Sequence, residues 1–116
     1  MLPKYAYFEG EIVPYADAKV GVMTHSLNYG TGVFGGVRGY WNDDEGQLFI
    51  FRPYDHYKRF LNSAKLLRMA LDESVEDLVR TTIALIRKED YRQDVYVRPL
   101  GYKSDEIIGV RLHDLT

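Results

Sequence analysis

Hydrophobic and polar positions first alternate along the chain. Residues 5–15 read YAYFEGEIVPY, two short apolar and aromatic runs on either side of Glu9, Gly10 and Glu11, which predicts an antiparallel hairpin closed by a glycine turn. Phe34–Trp41 and Leu48–Arg52 are again rich in aromatic and branched residues and flank Asn42, Asp43, Asp44, Glu45 and Gly46. They predict a second hairpin with a longer loop. Between the two hairpins, residues 16–33 set Gly21, Gly30 and Gly32 among polar residues, the pattern of irregular chain with one short helical turn near Ser26 to Tyr29. Such a segment is a natural place for function.

At Pro53 the period changes. Proline is tolerated as a first helical residue, and Tyr57, Phe60, Leu61, Ala64 and Leu67 follow at helical spacing, so a helix with one apolar face is expected to about Met69. Ser74 with Asp77 three positions on forms a capping-box start, and Leu78, Val79, Thr82, Ile83 and Ile86 extend a second stripe, predicting a helix that ends near Lys88. Asp94–Tyr102 reads DVYVRPLGY and Ile107–Leu112 is again branched and apolar, so each is expected to be a strand. This order, hairpins then two helices then strands, predicts an α+β fold with an antiparallel sheet of short hairpin strands packed with two helices, and disfavours a parallel doubly wound sheet. A strand followed by His113, Asp114, Leu115 and Thr116 has the look of a chain cut at a loop, and a continuation is expected.

Length and composition narrow the class. The 116 residues, 46% hydrophobic and 28% charged, suit one globular domain with a core of its own. A net charge of -2 with dispersed basic residues gives no footprint for nucleic acid or an anionic membrane. With no cysteine, disulfides, thiolate metal sites and cysteine nucleophiles are excluded, and a reducing cytoplasm is the expected setting. Neither an export signal nor an apolar run of membrane-spanning length is visible.

The candidate chemistry is sparse. The glycine-rich stretch Asn28–Arg38 lacks the lysine and the strand-loop-helix setting of a nucleotide-binding loop. Arg59 precedes Phe60 on the first long helix, where a guanidinium at the edge of the apolar face can grip a phosphate with two parallel hydrogen bonds; spacing alone favours an ordinary solvated arginine. Tyr96 and Arg98 stand two apart on a strand and so share a face. Their phenol and planar fork suit a carboxylate, although a surface pair without a ligand fits the spacing as well. His25, His56 and His113 show neither metal-ligand spacing nor a catalytic partner, so no metal site is expected and His25 is read as structural.

These pieces together resemble one family, the small domain of the fold-type-IV (class IV) pyridoxal-phosphate aminotransferases, and within it the branched-chain amino acid aminotransferases. The resemblance lies in FEGEIVP, DAKVGVMTHSLNYGTGVFGGVRGY, LFIFRPYDHYKRFLNSAKLL and YVRPLGY, in that order over essentially the whole chain. It implies that Arg59 binds the phosphate of pyridoxal 5'-phosphate. It further implies that Tyr96 and Arg98 receive the substrate carboxylate, with Arg98 also suited to the second carboxylate of glutamate or 2-oxoglutarate. Phe34 and Tyr29 resemble aromatic walls of the side-chain pocket, the residue like Tyr29 reaching it from a partner subunit, so a homo-oligomer, at least a dimer, is implied.

The sequence departs from the family where an acidic residue usually follows the phenylalanine: Gly35 stands there and Val37 precedes Arg38. A subgroup feature is the preferred explanation, changed substrate preference the alternative. None of Lys4, Lys19, Lys58, Lys65, Lys88 or Lys103 lies in a segment like that of the family's catalytic lysine, which belongs to the large domain. The resemblance thus makes residues 1–116 a small domain without a catalytic residue of its own, inactive alone. The full-length enzyme would pass an amino group between leucine, isoleucine or valine and 2-oxoglutarate. A D-amino acid aminotransferase or an aminodeoxychorismate lyase of the same fold is the near alternative, and a non-catalytic module stacking single-stranded nucleic acid on Tyr96 and its neighbours the distant one.

Overall fold

The computed structural model describes residues 2–106; the strand expected over Ile107–Leu112 lies outside them. The first hairpin forms as expected: β1 (Tyr5–Phe8) pairs antiparallel with β2 (Glu11–Pro14). Its turn is the two-residue Glu9–Gly10, with positive φ at both positions, 51° and 89°, the backbone that matches strand twist. After a 3-10 turn at Tyr15–Asp17, a short helix α1 (His25–Tyr29) ends on Gly30 in the left-handed region.

The two long helices are α2 (Pro53–Leu66) and α3 (Val75–Glu89). In α2, Tyr57, Phe60 and Ala64 are buried, and in α3 Val79, Thr82 and Ile86 are, so the stripes read from spacing face the core. The capping box of α3 is present in both directions, Asp77 N donating to Ser74 Oγ at 3.1 Å and Ser74 N to Asp77 Oδ2 at 3.0 Å. Helix α2 stops short of Met69. Arg68 turns left-handed at φ 57°, Met69 N donates to Ala64 O and Arg68 N to Lys65 O, both at 2.9 Å, a Schellman ending formed without its usual glycine. The buried Lys103 Nζ donates to Arg68 O at 2.8 Å and ties this end to the sheet.

Two segments expected as single strands are each split. Phe34–Trp41 divides into β3 (Gly32–Phe34) and β4 (Val37–Asn42), and Asp94–Tyr102 into β6 (Val95–Val97) and β7 (Leu100–Tyr102). β3 pairs with β7, while β4 lies between β5 (Gln47–Ile50) and β6, all antiparallel. The fold is therefore α+β as expected, with three small sheets in place of one and α1 as a third, short helix. The register nonetheless runs through the break, since Phe34 faces Leu100 on one side of it and Val37 faces Val97 on the other. Gly35 and Gly36 thus lie opposite Pro99 and Arg98. Gly35 N donates to Pro99 O at 3.0 Å, but proline has no N–H to return, so one rung of the ladder is missing and the ribbon is interrupted there.

One face of this ribbon packs on the helices. Val37, Tyr57, Phe60 and Val79 form the core, joined by Val33, Ile50, Leu61, Ile83 and Val97. The fold measures 53 × 29 × 19 Å, and its thin dimension holds only about two layers of secondary structure. The described residues leave the other face of the ribbon uncovered.

Candidate functional site

Alternation decides what the uncovered face holds. Phe34 projects from β3 and Arg38 and Tyr40 from β4, with Gly36 in the break between the strands; Phe34 stands across from Leu100 and Arg38 directly across from Tyr96. Phe34 (66%), Tyr96 (54%) and Leu100 (62%) are all exposed, although apolar and aromatic strand residues usually pack. Gly36 is the floor: a Cβ there would come within 2.8 Å of Tyr96 Cζ and 2.9 Å of Cε2, so the tyrosine ring lies over the glycine.

Arg98 Nη2 donates to Tyr96 Oη at 3.2 Å, and the guanidinium carbon sits 4.6 Å from the Phe34 ring centroid and 5.4 Å from that of Tyr96. Planar cations stack on aromatic faces in this way, which holds the fork in place while most of its N–H groups stay available. Arg52–Asp55, Arg80–Asp77 and Arg92–Asp90 form ion pairs, and no carboxylate among the described residues neutralises Arg98 or Arg38. Two uncompensated guanidiniums and a phenol, bordered by Phe34 and Leu100, make a face for an anion with an apolar substituent.

Three of the expected site residues, Phe34, Tyr96 and Arg98, therefore come together, and Arg98 does so from just beyond the end of β6. Arg59 and Tyr29 stand apart from them. Arg59 is exposed on α2, not partly buried at the edge of its apolar face; its Nη2 bonds His56 Nδ1 at 3.1 Å, and no carboxylate among the described residues pairs with it. Its neighbour Phe60 lies beneath the ribbon, near Gly35 and Gly101. Tyr29 stacks on His25 at 4.7 Å between ring centroids. Leu100 shares the face of Tyr96 and Arg98 by strand alternation, as the sequence predicts; Arg38 was not singled out, and only the pairing register puts it on the face with Tyr96.

Gly35 lies on the inner face, where its Cβ would meet Pro99 Cγ at 3.3 Å and Phe60 Cδ1 at 3.9 Å. Gly35 thus belongs to the packed side of the ribbon and not to the open face. The lysines belong to other parts of the fold: Lys58 and Lys65 lie on α2, Lys88 on α3, Lys4 precedes β1, Lys19 lies in the loop before α1, and Lys103 donates to Arg68 O.

Two shallow depressions test the assignment. One, of about 390 Å³, is lined by Tyr7, Asp72, Glu73, Asp77, Arg80 and Thr81. Burial, and then the Glu73 carboxylate, hold the Tyr7 hydroxyl above its ordinary pKa, an environment that repels an acid. The other, of about 330 Å³, adjoins the open face beside Arg38, Tyr40, Asp94 and Tyr96, and its one carboxylate, Asp94, accepts from Trp41 N at 2.8 Å. No group of acidic or histidine side chains suited to a metal occurs among the described residues. No helix among them is long and apolar enough to cross a membrane.

No family model matches the chain. Solved structures do, and over nearly its whole length the chain has the fold of the corresponding part of branched-chain aminotransferases. Curated relatives that it matches are likewise named branched-chain aminotransferases. A probable branched-chain-amino-acid aminotransferase of Aquifex aeolicus is 46% identical over 112 residues, covering 97% of this chain and 36% of the relative. The branched-chain aminotransferase of Thermobaculum terrenum in its PLP-form superposes with a TM-score of 0.89 at 38% identity, over 98% of this chain and 37% of that one. That of the archaeon Thermoproteus uzoniensis, with norvaline, gives 0.90 at 35% identity, over 97% and 37%. The chain spans little more than a third of the length of these relatives.

Proposed function

We propose that this chain is the small domain of a branched-chain amino acid aminotransferase that uses pyridoxal 5'-phosphate and acts on leucine, isoleucine or valine with 2-oxoglutarate. One observation carries the reading: Tyr96 lies over Gly36 and is bonded by Arg98, with Arg38 opposite it in the register, on a face that the described residues leave uncovered and that Phe34 and Leu100 edge. The donor sets fit the two ligands. Arg59 offers the cofactor phosphate a guanidinium that no carboxylate among the described residues pairs, and Tyr96 and Arg98 offer a phenol and a guanidinium to the substrate acid. When bound, pyridoxal phosphate supplies the aldehyde that takes up the amino group and the conjugated ring that accepts the electron pair left by the α-proton.

This chain's part is binding and orientation. Tyr96 donates its hydroxyl to the α-carboxylate, and Arg98, stacked on Phe34, reaches a second carboxylate when the substrate is glutamate. Phe34 borders the space for an aliphatic side chain, so one face serves both substrates without a rearrangement of charge. Tyr29 completes the apolar wall of the partner subunit's site in a dimer. The lysine that amino transfer requires would be supplied by the large domain and not by this chain.

A substrate panel on the full-length protein tests this. Transfer from L-leucine to 2-oxoglutarate is the expected activity, with D-alanine and aminodeoxychorismate inert. Turnover of either of those in place of L-leucine, or no turnover of any of the three, would overturn the reading.

A further inference from the structure

The segment around α1 is held to residues 103–105 through its backbone: His25 N donates to Asp105 O at 2.8 Å, Ser26 N to Lys103 O at 3.2 Å, and Lys103 N to Thr31 O at 2.9 Å. The Asn28 side chain adds bonds to Val22 O and Thr24 O at 2.9 and 3.0 Å. Within this frame His25 is only 1% exposed, whereas Tyr29, one turn later, is 38% exposed. The two rings are 4.7 Å apart between centroids at an interplanar angle of 41°. His25 Nδ1 lies 2.9 Å from Thr31 Oγ1. The imidazole is thus fixed in its own plane by a hydrogen bond and presents a face to the tyrosine, as residues four apart on a helix do.

We infer that His25 is a positioning residue for Tyr29, the rigid floor that sets the angle of the tyrosine ring as a wall of the side-chain pocket. This rests on the reading above that Tyr29 meets substrate in the assembled enzyme. A partly exposed tyrosine on a five-residue helix has little else to restrain its ring, and a wall that swings loses contact with an aliphatic side chain. A histidine does what a phenylalanine cannot: its hydrogen bond to Thr31 stops rotation about χ2, so the face offered to Tyr29 keeps one orientation. The sequence alone shows a histidine without a catalytic partner. Its burial and its contacts with Tyr29 and Thr31 appear only in the fold.

The test uses the full-length enzyme. Tyr29→Ala raises KM for leucine more than KM for glutamate. His25→Asn, which keeps a polar reach to Thr31 but removes the ring, shifts leucine KM in the same direction by roughly threefold to tenfold, the worth of one aromatic pair. His25→Phe, which keeps the ring and loses the bond, shifts it less. The double variant His25→Asn/Tyr29→Ala is no worse for leucine than Tyr29→Ala, because the histidine acts only through the tyrosine. Equal loss for both substrates with unchanged KM, or additive effects in the double variant, would overturn the positioning role. Unchanged leucine KM in Tyr29→Ala would overturn the placement of Tyr29 itself, and the inference with it. If His25→Asn does not accumulate as folded protein, Thr31→Val reads the same lever: a rise of about twofold to threefold in leucine KM is expected, and no rise would count against the role.

Discussion

Gly36→Ala separates binding from folding at the open face. The new methyl carbon would lie 2.8 Å from Tyr96 Cζ and 2.9 Å from Cε2, against an ordinary carbon–carbon separation of about 3.5–4.0 Å, so the ring must withdraw by roughly 1 Å. Tyr96 is 54% exposed, so it can withdraw into solvent without opening a cavity. Gly36 is not among the glycines with positive φ, and alanine there lowers the entropy of the unfolded chain by an amount worth about 0.4–1 kcal/mol. Stability should therefore change by less than about 1 kcal/mol. Catalysis should not be spared, because a displacement of that size takes the hydroxyl out of hydrogen-bond range of a carboxylate. A hydrogen bond to a charged group is worth about 1.5–3 kcal/mol, or roughly tenfold to a hundredfold in kcat/KM.

The assay pairs thermal unfolding with steady-state kinetics on the full-length protein, and Gly39→Ala is the control. A methyl at Gly39 meets Leu48 Cδ2 at 2.6 Å and Val95 Cγ2 at 2.9 Å on the inner side of the sheet, so that variant should lose about 1–3 kcal/mol of stability through overpacking. Wild-type kcat/KM in Gly36→Ala would refute the role given to Tyr96.

Two further outcomes follow from the same geometry. Arg59→Ala should weaken retention of pyridoxal phosphate by roughly tenfold to a hundredfold, and Arg59→Lys by less, since lysine keeps the charge and loses the fork; cofactor titration followed by absorbance checks this, and an unchanged Kd would count against the phosphate assignment. Glu89 accepts from Lys4 N and Tyr5 N, both at 2.7 Å, fastening the first hairpin to α3. Burial would raise its pKa, but hydrogen bonds from Tyr91, Tyr5 and Lys4 together outweigh it and hold the carboxyl below its ordinary value of 4.5. A folded pKa below the unfolded one means stability that is present above about pH 4.5 and lost as pH falls through the folded value. Glu89→Gln should lower the melting temperature near neutral pH by a few degrees, with the difference from wild type closing in acid; a constant difference across that range would contradict the linkage.

Much of this architecture was legible in the sequence because it is local. The capping box at Ser74 and Asp77, the proline start of α2, the helical stripes and the Glu9–Gly10 hairpin each depend on residues a few positions apart, and each forms as read. So does the shared face of Tyr96 and Arg98, which follows from the strand period of two. What escaped depends on a partner distant in sequence. The missing rung opposite Gly35 becomes visible only once Pro99 is known to lie across from it. Arg38 joins the site because register sets it opposite Tyr96, and no spacing within its own strand signals that. The end of α2 at Leu66 escaped for another reason: Arg68 adopts a left-handed backbone usually given to glycine, with Lys103 from the far end of the described chain bonding its carbonyl.

The account rests on one strand-end guanidinium serving two substrates unequally, and Arg98→Leu in the full-length enzyme tests that most directly. Leucine offers one carboxylate and glutamate two, so kcat/KM for glutamate should fall at least about tenfold further than kcat/KM for leucine. Equal losses for the two substrates would contradict the dual role of Arg98 and the reading of the open face built on it.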